Sequence, residues 1–155
     1  MENLHLTVKF LGDVDDRLLG DVCSAAEAAA AQVEPFEFAV AGLSAVPPRG
    51  LLRMIWAGVT EPSGRLGKLN DLLEAAYAEM GFRVEKRAFR PHLTLGRVKG
   101  GGGLDRLRAA AEKYAQTDFG TQSAKKVIVF ASKLGPGGPT YTPLHTAGLS
   151  GGPSP

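Results

Sequence analysis

Two of the three histidines in this 155-residue chain stand in the same short motif. His5 and His92 are each followed by Leu, then Thr, then an aliphatic residue. Because residues i and i+2 of a β-strand project from the same face, each triplet presents an imidazole beside a hydroxyl. By average residue usage, a given His is followed by Leu-Thr about once in 100 cases or fewer, so chance does not account for the doubled motif.

A pair of imidazoles is suited to acid–base chemistry near neutral pH. The ordinary pKa of imidazole is about 6.5, so one ring can act as a base while another acts as an acid. One His can accept a proton from an attacking water while the other donates to a leaving oxygen, each adding about 10²- to 10⁴-fold in rate. The hydroxyls of Thr7 and Thr94 can donate to phosphate oxygens, aided by a cation such as Arg97. These residues predict phosphoester chemistry without a metal or other cofactor.

The elements predicted around the triplets form a repeat, with the two triplets 87 residues apart. Each triplet lies on a predicted strand and is followed by a helix and then a hairpin. In the first half these are a strand over 4–11, a helix capped by Asp13 or Asp15 that runs to about Val33, and hairpin strands over 36–41 and 51–59. In the second half they are a strand over 92–98, a helix from Leu104 to Tyr114, and hairpin strands over 118–134 and 141–149. A helix capped by Ser63 and ended by Gly81 connects the halves.

This repeat predicts an α+β fold with two pseudo-symmetric lobes, each an antiparallel sheet with outer helices. We expect one bilobal domain over 1–149 and a disordered tail over 150–155. One triplet would lie on each lobe, so that the imidazoles and hydroxyls meet in a cleft. His92 is preceded by a strand and a helix but His5 by neither, which predicts that the first lobe lacks its N-terminal strand and helix.

The net charge of +2 does not indicate a protein that coats nucleic acid. Within residues 83–108, however, eight basic side chains stand against two acidic ones. They are Arg83, Lys86, Arg87, Arg90, Arg97, Lys99, Arg106 and Arg108. This local excess could attract a phosphate-bearing ligand, although solvation of an ordinary surface is the alternative explanation.

Several other classes of protein are disfavoured. No apolar run approaches the roughly 20 residues that a membrane helix needs, and the start of the chain is unlike a secretory signal, so we expect a cytoplasmic protein. The single cysteine, Cys23, excludes a disulfide framework and is predicted to be a small buried apolar residue. A zinc site would require His145 to join His5 and His92, and no helical His-x-x-x-His spacing supports one. The Gly100–Gly103 run lacks the Lys and Ser/Thr of a phosphate-binding loop.

The triplets resemble the two H-x-T-x motifs of the 2H phosphoesterase superfamily, at residues 5–8 and 92–95. The wider stretches Glu2–Gly12 and Arg90–Val98 are similar to one branch, the RNA 2′,3′-cyclic phosphodiesterases, historically called 2′-5′ RNA ligases. The likeness extends over nearly the whole chain, including the Gly-Pro-rich turn over 134–139.

The resemblance implies hydrolysis of an RNA terminal 2′,3′-cyclic phosphate to a 2′-phosphomonoester, with weak reverse joining through a 2′-5′ link. It implies that His5 is the proton donor and His92 the proton acceptor, and that Thr7 and Thr94 bind the phosphate. Arg97 is the further candidate for substrate binding. The two triplets are nearly identical, so the direction of proton transfer comes from the resemblance alone.

Two alternatives remain open. A 2H enzyme could act on 2′-5′ oligonucleotides, cyclic nucleotides or other small cyclic phosphates. A non-catalytic module that binds RNA ends is the other, although binding alone would be served by Arg and Lys without two His and two Thr. The expected partner is RNA with a cyclic phosphate end, or a small nucleotide. We expect a monomer, with the open edge of the first lobe as the place where self-association would occur.

Overall fold

The computed structural model describes residues 4–100, 102–135 and 138–152. Its α-helices are α1 (Leu19–Ala31), α2 (Arg65–Glu79) and α3 (Leu104–Lys113), and a short 3-10 helix, Asp16–Leu18, precedes α1. Its strands are β1 (Phe36–Val46), β2 (Met54–Thr60), β3 (His92–Arg97), β4 (Asp118–Ala124), β5 (Lys126–Gly135) and β6 (Gly138–Gly148). None of the helices in the described part of the chain is long and apolar enough to cross a membrane.

The chain forms two compact units, each assembled from three separate stretches. Unit 1 takes the chain up to Thr7 together with residues 37–62 and 90–122. Unit 2 takes residues 8–36, residues 63–89 and the chain from Ser123 onward.

Unit 1 is built on a four-stranded sheet in the order β3-β2-β1-β4. The β1–β2 hairpin is antiparallel, and β3 pairs antiparallel with the other side of β2. Residues Val40, Leu52 and Ala57 are buried. The guanidinium of Arg108 on α3 donates to the carbonyls of Pro47, Pro48 and Gly50, which ties this helix to the hairpin turn.

A glycine allows a close backbone approach in β1. Gly42 has a φ of +70° at a register shift between β1 and β2. A Cβ at this position would lie 2.6 Å from the carbonyl oxygen of Ala115. The Gly42 N–H instead donates to the Thr117 carbonyl at 2.8 Å, so the chain after α3 can lie directly against the strand.

Unit 2 packs α1 and α2 together and places α1 on the β5–β6 hairpin. Its largest fully buried side chains are Val22 on α1, Leu66 and Leu69 on α2, and Val33 just after α1. The buried Tyr77 hydroxyl donates to the Val22 carbonyl at 3.1 Å. Burial raises the pKa of this hydroxyl to about 12, and the nearby Cys23 adds to the effect.

The two residues that follow Thr7 are anchored on α2. Asn70, which is only 8% exposed, donates from Nδ2 to the Val8 carbonyl at 2.9 Å. The Lys9 ammonium lies 2.6 Å from a Glu74 carboxylate oxygen and also donates to the Arg83 carbonyl at 2.8 Å. Asn70 and Glu74 are four residues apart, so both project from one side of the helix.

The α+β class and the antiparallel sheets predicted from the sequence are confirmed, as are the three helices and the first hairpin. The single strand predicted over 118–134 is wrong, because this stretch forms β4 in the four-stranded sheet and β5, which pairs with β6. The predicted strand over 4–11 is wrong, since Leu6 alone forms a β-bridge there. Beyond Thr7 the backbone and the Lys9 side chain bind α2 instead of a strand. Helix α2 begins after Gly64 and not Ser63.

The tail predicted to be disordered is ordered at its start. Ser150 Oγ donates to the Ala31 carbonyl at 3.2 Å, and the Gly151 N–H donates to the Val33 carbonyl at 3.1 Å. These carbonyls belong to the last turn of α1 and the residues after it, which lack partners within the helix. Residues 153–155 lie outside the described part.

The compact units do not follow the sequence repeat. Strand β3 and helix α3 come from the second half of the chain but belong to unit 1 with the first hairpin. Helix α1 comes from the first half but packs on the second hairpin in unit 2. The repeat predicted lobes made of consecutive elements, whereas the structure exchanges elements between the halves.

The Asn70–Val8 hydrogen bond can be tested by Asn70→Leu, which keeps the number and branching of the side-chain heavy atoms. We expect the free energy of unfolding to fall by about 1–3 kcal/mol, because the Val8 carbonyl loses its donor in a largely buried place. Chemical denaturation measures this change. The control is Asp71→Ala, an exposed position on the same helix, where the change should stay within about 0.5 kcal/mol. Equal effects of the two substitutions would contradict the structural role of Asn70.

Candidate active site

The second triplet lies on β3 and is positioned by its pairing with β2. Thr94 is opposite Trp56, Leu93 is opposite Ala57, and His92 is opposite Gly58. Opposed residues of an antiparallel pair share a face, so His92 and Thr94 lie on the Trp56 face of the sheet. Leu93 lies on the other face with Ala57, which is 2% exposed.

The first triplet lies against the free edge of the same strand. Leu6 forms an antiparallel bridge with Leu93, on the side of β3 away from β2. Continued by one residue on each side, this register would set His5 opposite Thr94 and Thr7 opposite His92. The two imidazoles and two hydroxyls would then share the face opposite to the two leucines.

This arrangement corrects the expected placement of the triplets. The sequence predicted one triplet on each of two lobes that face one another. Instead, both triplets belong to unit 1 and lie side by side as neighbouring segments. His5, His92 and Thr94 are half-buried, and Thr7 is exposed.

Two contacts restrain the His92 ring. Its Nδ1 lies 2.8 Å from the carbonyl oxygen of Arg90. A carbonyl can only accept a hydrogen bond, so Nδ1 carries the proton and donates it. In the neutral ring Nε2 is then the atom with the free lone pair. The ring also stacks on Trp56, with 3.8 Å between centroids and an interplanar angle of 17°.

A β-bulge determines the face on which Arg97 lies. Thr94 is opposite Trp56, but Gly96 is opposite Ile55 and Arg97 is opposite Met54, so Leu95 is an extra residue in β3. Met54 and Trp56 share a face of β2, and Arg97 is therefore on the same face as His92 and Thr94. Regular alternation would have put Arg97 on the opposite face. From the sequence, Gly96 could allow a bulge that turns Arg97 toward the histidines, and the structure has one at the preceding residue.

The third histidine lies elsewhere. His145 belongs to unit 2, where its Nε2 is 3.0 Å from a carboxylate oxygen of Glu27. His5 and His92 both belong to unit 1. Within residues 4–100, 102–135 and 138–152, no three or more His, Cys, Asp or Glu side chains are grouped to hold a metal. Cys23 is half-buried rather than fully buried.

Trp56 and Gly58 are site residues that the sequence analysis missed. Their β2 strand was predicted, but the register of β2 against β3 was not, and that register places both residues beside His92. The one available signal was the presence of a single tryptophan in a strand of otherwise aliphatic and small residues.

The family model for the 2′-5′ RNA ligase superfamily matches residues 2–123, a range that includes both triplets. The chain belongs to this superfamily. It is 35% identical over 144 residues to the RNA 2′,3′-cyclic phosphodiesterase of Methanothermobacter thermautotrophicus, covering 93% of this chain and 77% of that protein. It is 34% identical over 140 residues to the protein of the same name from Methanocaldococcus jannaschii, covering 90% and 77%.

Solved structures share the fold. A crystal structure of a Thermus thermophilus protein matches with a TM-score of 0.79 at 26% identity, covering 96% of this chain and 79% of that one. E. coli LigT, crystallised with 3′-AMP, matches with a TM-score of 0.74 at 24% identity and covers 96% and 78%. At that identity the LigT likeness is evidence for the fold alone.

The position of Arg97 predicts a contribution to anion binding on this face. Arg97→Ala should weaken binding of a nucleoside monophosphate about 10- to 100-fold, because a charge-assisted hydrogen bond is worth about 1.5–3 kcal/mol. It should also flatten the dependence of affinity on salt. Calorimetric titration at low and high salt measures both effects. Arg106→Ala removes an equal, exposed charge from α3 and is the control. The same loss in both variants would mean that net charge alone matters.

Proposed function

We propose that this protein hydrolyses the terminal 2′,3′-cyclic phosphate of RNA to a 2′-phosphomonoester. Membership of the 2′-5′ RNA ligase superfamily supports this function. So do four relatives named RNA 2′,3′-cyclic phosphodiesterase that are 31–35% identical over at least 90% of the chain. The observation that carries the proposal is the Leu6–Leu93 bridge, because it brings both His-x-Thr triplets to one face of one sheet.

In the proposed reaction, water attacks the phosphorus of the cyclic diester. His92 accepts a proton from the water as the new P–O bond forms, and His5 donates a proton to the 3′ oxygen as the P–O3′ bond breaks. The product carries a 2′-phosphate and a free 3′ hydroxyl. Exchange with solvent then removes the proton from His92 and restores that of His5.

The assignment of His92 as proton acceptor has support in the geometry of its ring. The Arg90 carbonyl accepts from Nδ1, so Nε2 is the basic nitrogen of the neutral form. A ring held in this tautomer is ready to receive a proton without reorienting. This argument is independent of the family resemblance, from which the direction of proton transfer was first inferred.

The remaining groups are proposed to bind the phosphate. Thr7 and Thr94 each lie beside a histidine and would donate their hydroxyls to the non-bridging oxygens, on which negative charge increases during the attack. Arg97, placed on the same face by the bulge, would add a positive charge there. No resident cofactor is part of the proposal.

The 5′ hydroxyl of a second RNA could attack the same phosphorus in place of water, with the 3′ oxygen leaving, and this would join the ends through a 2′-5′ link, so weak ligation belongs to the same proposal. The alternative substrates are 2′-5′ oligonucleotides and small cyclic phosphates. A panel of these substrates beside RNA with a cyclic phosphate end would rank them by kcat/KM. We also propose that the protein acts as a monomer in the cytoplasm, and size-exclusion chromatography with light scattering tests the monomeric state.

The two triplet histidines should each be required for turnover. We expect His5→Ala and His92→Ala to lower kcat at least about a hundredfold, since each removes a general acid or base. Single-turnover hydrolysis of an RNA ending in a 2′,3′-cyclic phosphate measures the loss. The control is His145→Ala, which removes the histidine that lies in unit 2 beside Glu27. Either triplet variant retaining more than about a tenth of the wild-type rate would refute the assigned role.

The same scheme predicts a bell-shaped dependence of rate on pH. At low pH the acceptor is protonated and cannot take a proton, and at high pH the donor has none to give, so the rate falls on both sides. Chelation by EDTA should leave the rate unchanged at every pH. Inhibition by EDTA that a divalent ion reverses would replace this scheme with a metal-assisted one.

A further inference from the structure

The rings of Trp56 and His92 stack face to face at the site. The rings lie 3.8 Å apart and within 17° of parallel, so nearly the whole imidazole faces the indole. The two residues are diagonal neighbours, because His92 is opposite Gly58 and Trp56 is opposite Thr94. Diagonal neighbours are normally about 7–8 Å apart between Cα atoms, so both side chains must lean toward each other to stack.

Gly58 leaves the space into which the His92 side chain leans toward Trp56. It stands directly opposite His92 and has no side chain on the face of the sheet that carries His92 and Trp56. A Cβ at Gly58 would lie 2.7 Å from the carbonyl oxygen of Ala41 on β1, so the backbone itself excludes a larger residue. The imidazole can therefore occupy the space above Gly58 and reach the indole.

Filling this space with an indole carries a free-energy cost, because the indole has a polar N–H group. Its Nε1 is buried and forms no hydrogen bond within the described part of the chain. Buried polar atoms are nearly always partnered, and a phenyl or aliphatic side chain would fill the position without that cost. What the indole adds is a broad π-face parallel to the imidazole.

We propose that Trp56 is a positioning residue for His92 in the reaction. This inference rests on the proposed function. The Arg90 carbonyl holds Nδ1, and the indole holds the plane of the ring, so the two contacts together direct Nε2. When His92 accepts the proton from water it becomes a cation against the electron-rich face of the indole, which favours that charge.

A kinetic experiment on the full chain separates this role from simple packing. Trp56→Leu should lower kcat about 10- to 100-fold with KM changed less than about threefold, because a ring displaced by about 1 Å transfers protons poorly. Trp56→Phe keeps an aromatic face and should retain at least about a third of wild-type kcat. Val59→Ala, on the opposite face of the same strand, should leave kcat within about threefold. Circular dichroism checks that each variant is folded.

A double-mutant cycle tests whether Trp56 acts through His92. In a background already carrying His92→Ala, adding Trp56→Leu should change the residual rate less than about twofold, because no imidazole remains to be positioned. A further tenfold loss would overturn the inference, as would a Trp56→Leu enzyme with wild-type kcat or with raised KM alone.

A spectroscopic measurement tests the contact without turnover. Trp56 is the only tryptophan of the chain, and a protonated imidazole stacked on an indole quenches its fluorescence. Emission should fall as pH is lowered through a single step that His92→Gln abolishes and His145→Gln leaves intact. Emission that is insensitive to His92 would overturn the inference while leaving the proposed function standing. A wild-type protein that shows the step but hydrolyses no cyclic phosphate would refute the function, and with it the role of Trp56 in turnover.

Discussion

Antiparallel pairing of Leu6 with Leu93 joins two segments that are 87 residues apart, and the whole candidate site depends on it. Closing a loop of that length costs about 4 kcal/mol by the (3/2)RT ln n relation, before any constant term. Two backbone hydrogen bonds at about 1 kcal/mol each do not offset that cost. The Leu6–Leu93 contact therefore requires that β3 is already held in the sheet, with one edge open for pairing. The pairing of β3 with β2 holds it there. The residues just after the triplet are in turn held on α2 by Asn70 and Glu74.

Once that pairing exists, the period of two in extended chains arranges the chemistry. Leu6 and Leu93 take one face, and the histidines and threonines take the other. One residue of β3 and one residue of β2 then change which side chains lie on the face with the histidines. The bulge at Leu95 moves Arg97 to the histidine side, and Gly58 leaves the space into which the His92 ring leans. Each change involves a single residue, yet each determines which side chains lie beside the histidines on this face.

The exchange of elements between the halves explains why the repeat alone misplaced the triplets. A duplicated sequence predicts duplicated local elements, and the helices and hairpins were found near their expected positions. A third strand can add to either hairpin, and the choice depends on pairing between segments that are distant in the sequence. Short sequence patterns do not indicate such pairing. The first half thus contributes its hairpin to unit 1 and its helix α1 to unit 2. The polar, exposed strand β4 was merged into the following hairpin strand for a related reason, since it has little apolar alternation to mark it.

By itself, the sequence determined the α+β class, the order of helices and hairpins, and the four side chains of the paired triplets, because these follow from residue type and short-range periodicity. It also determined that a two-imidazole acid–base mechanism was the chemistry to expect. Only the tertiary structure decided that the triplets are neighbours on one sheet, that Arg97 shares their face, and that Trp56 lies against His92. Those facts depend on strand register, and a register shift of one residue reverses the face of every side chain. Register is set by the summed pairing of whole strands, so no single motif could have indicated it.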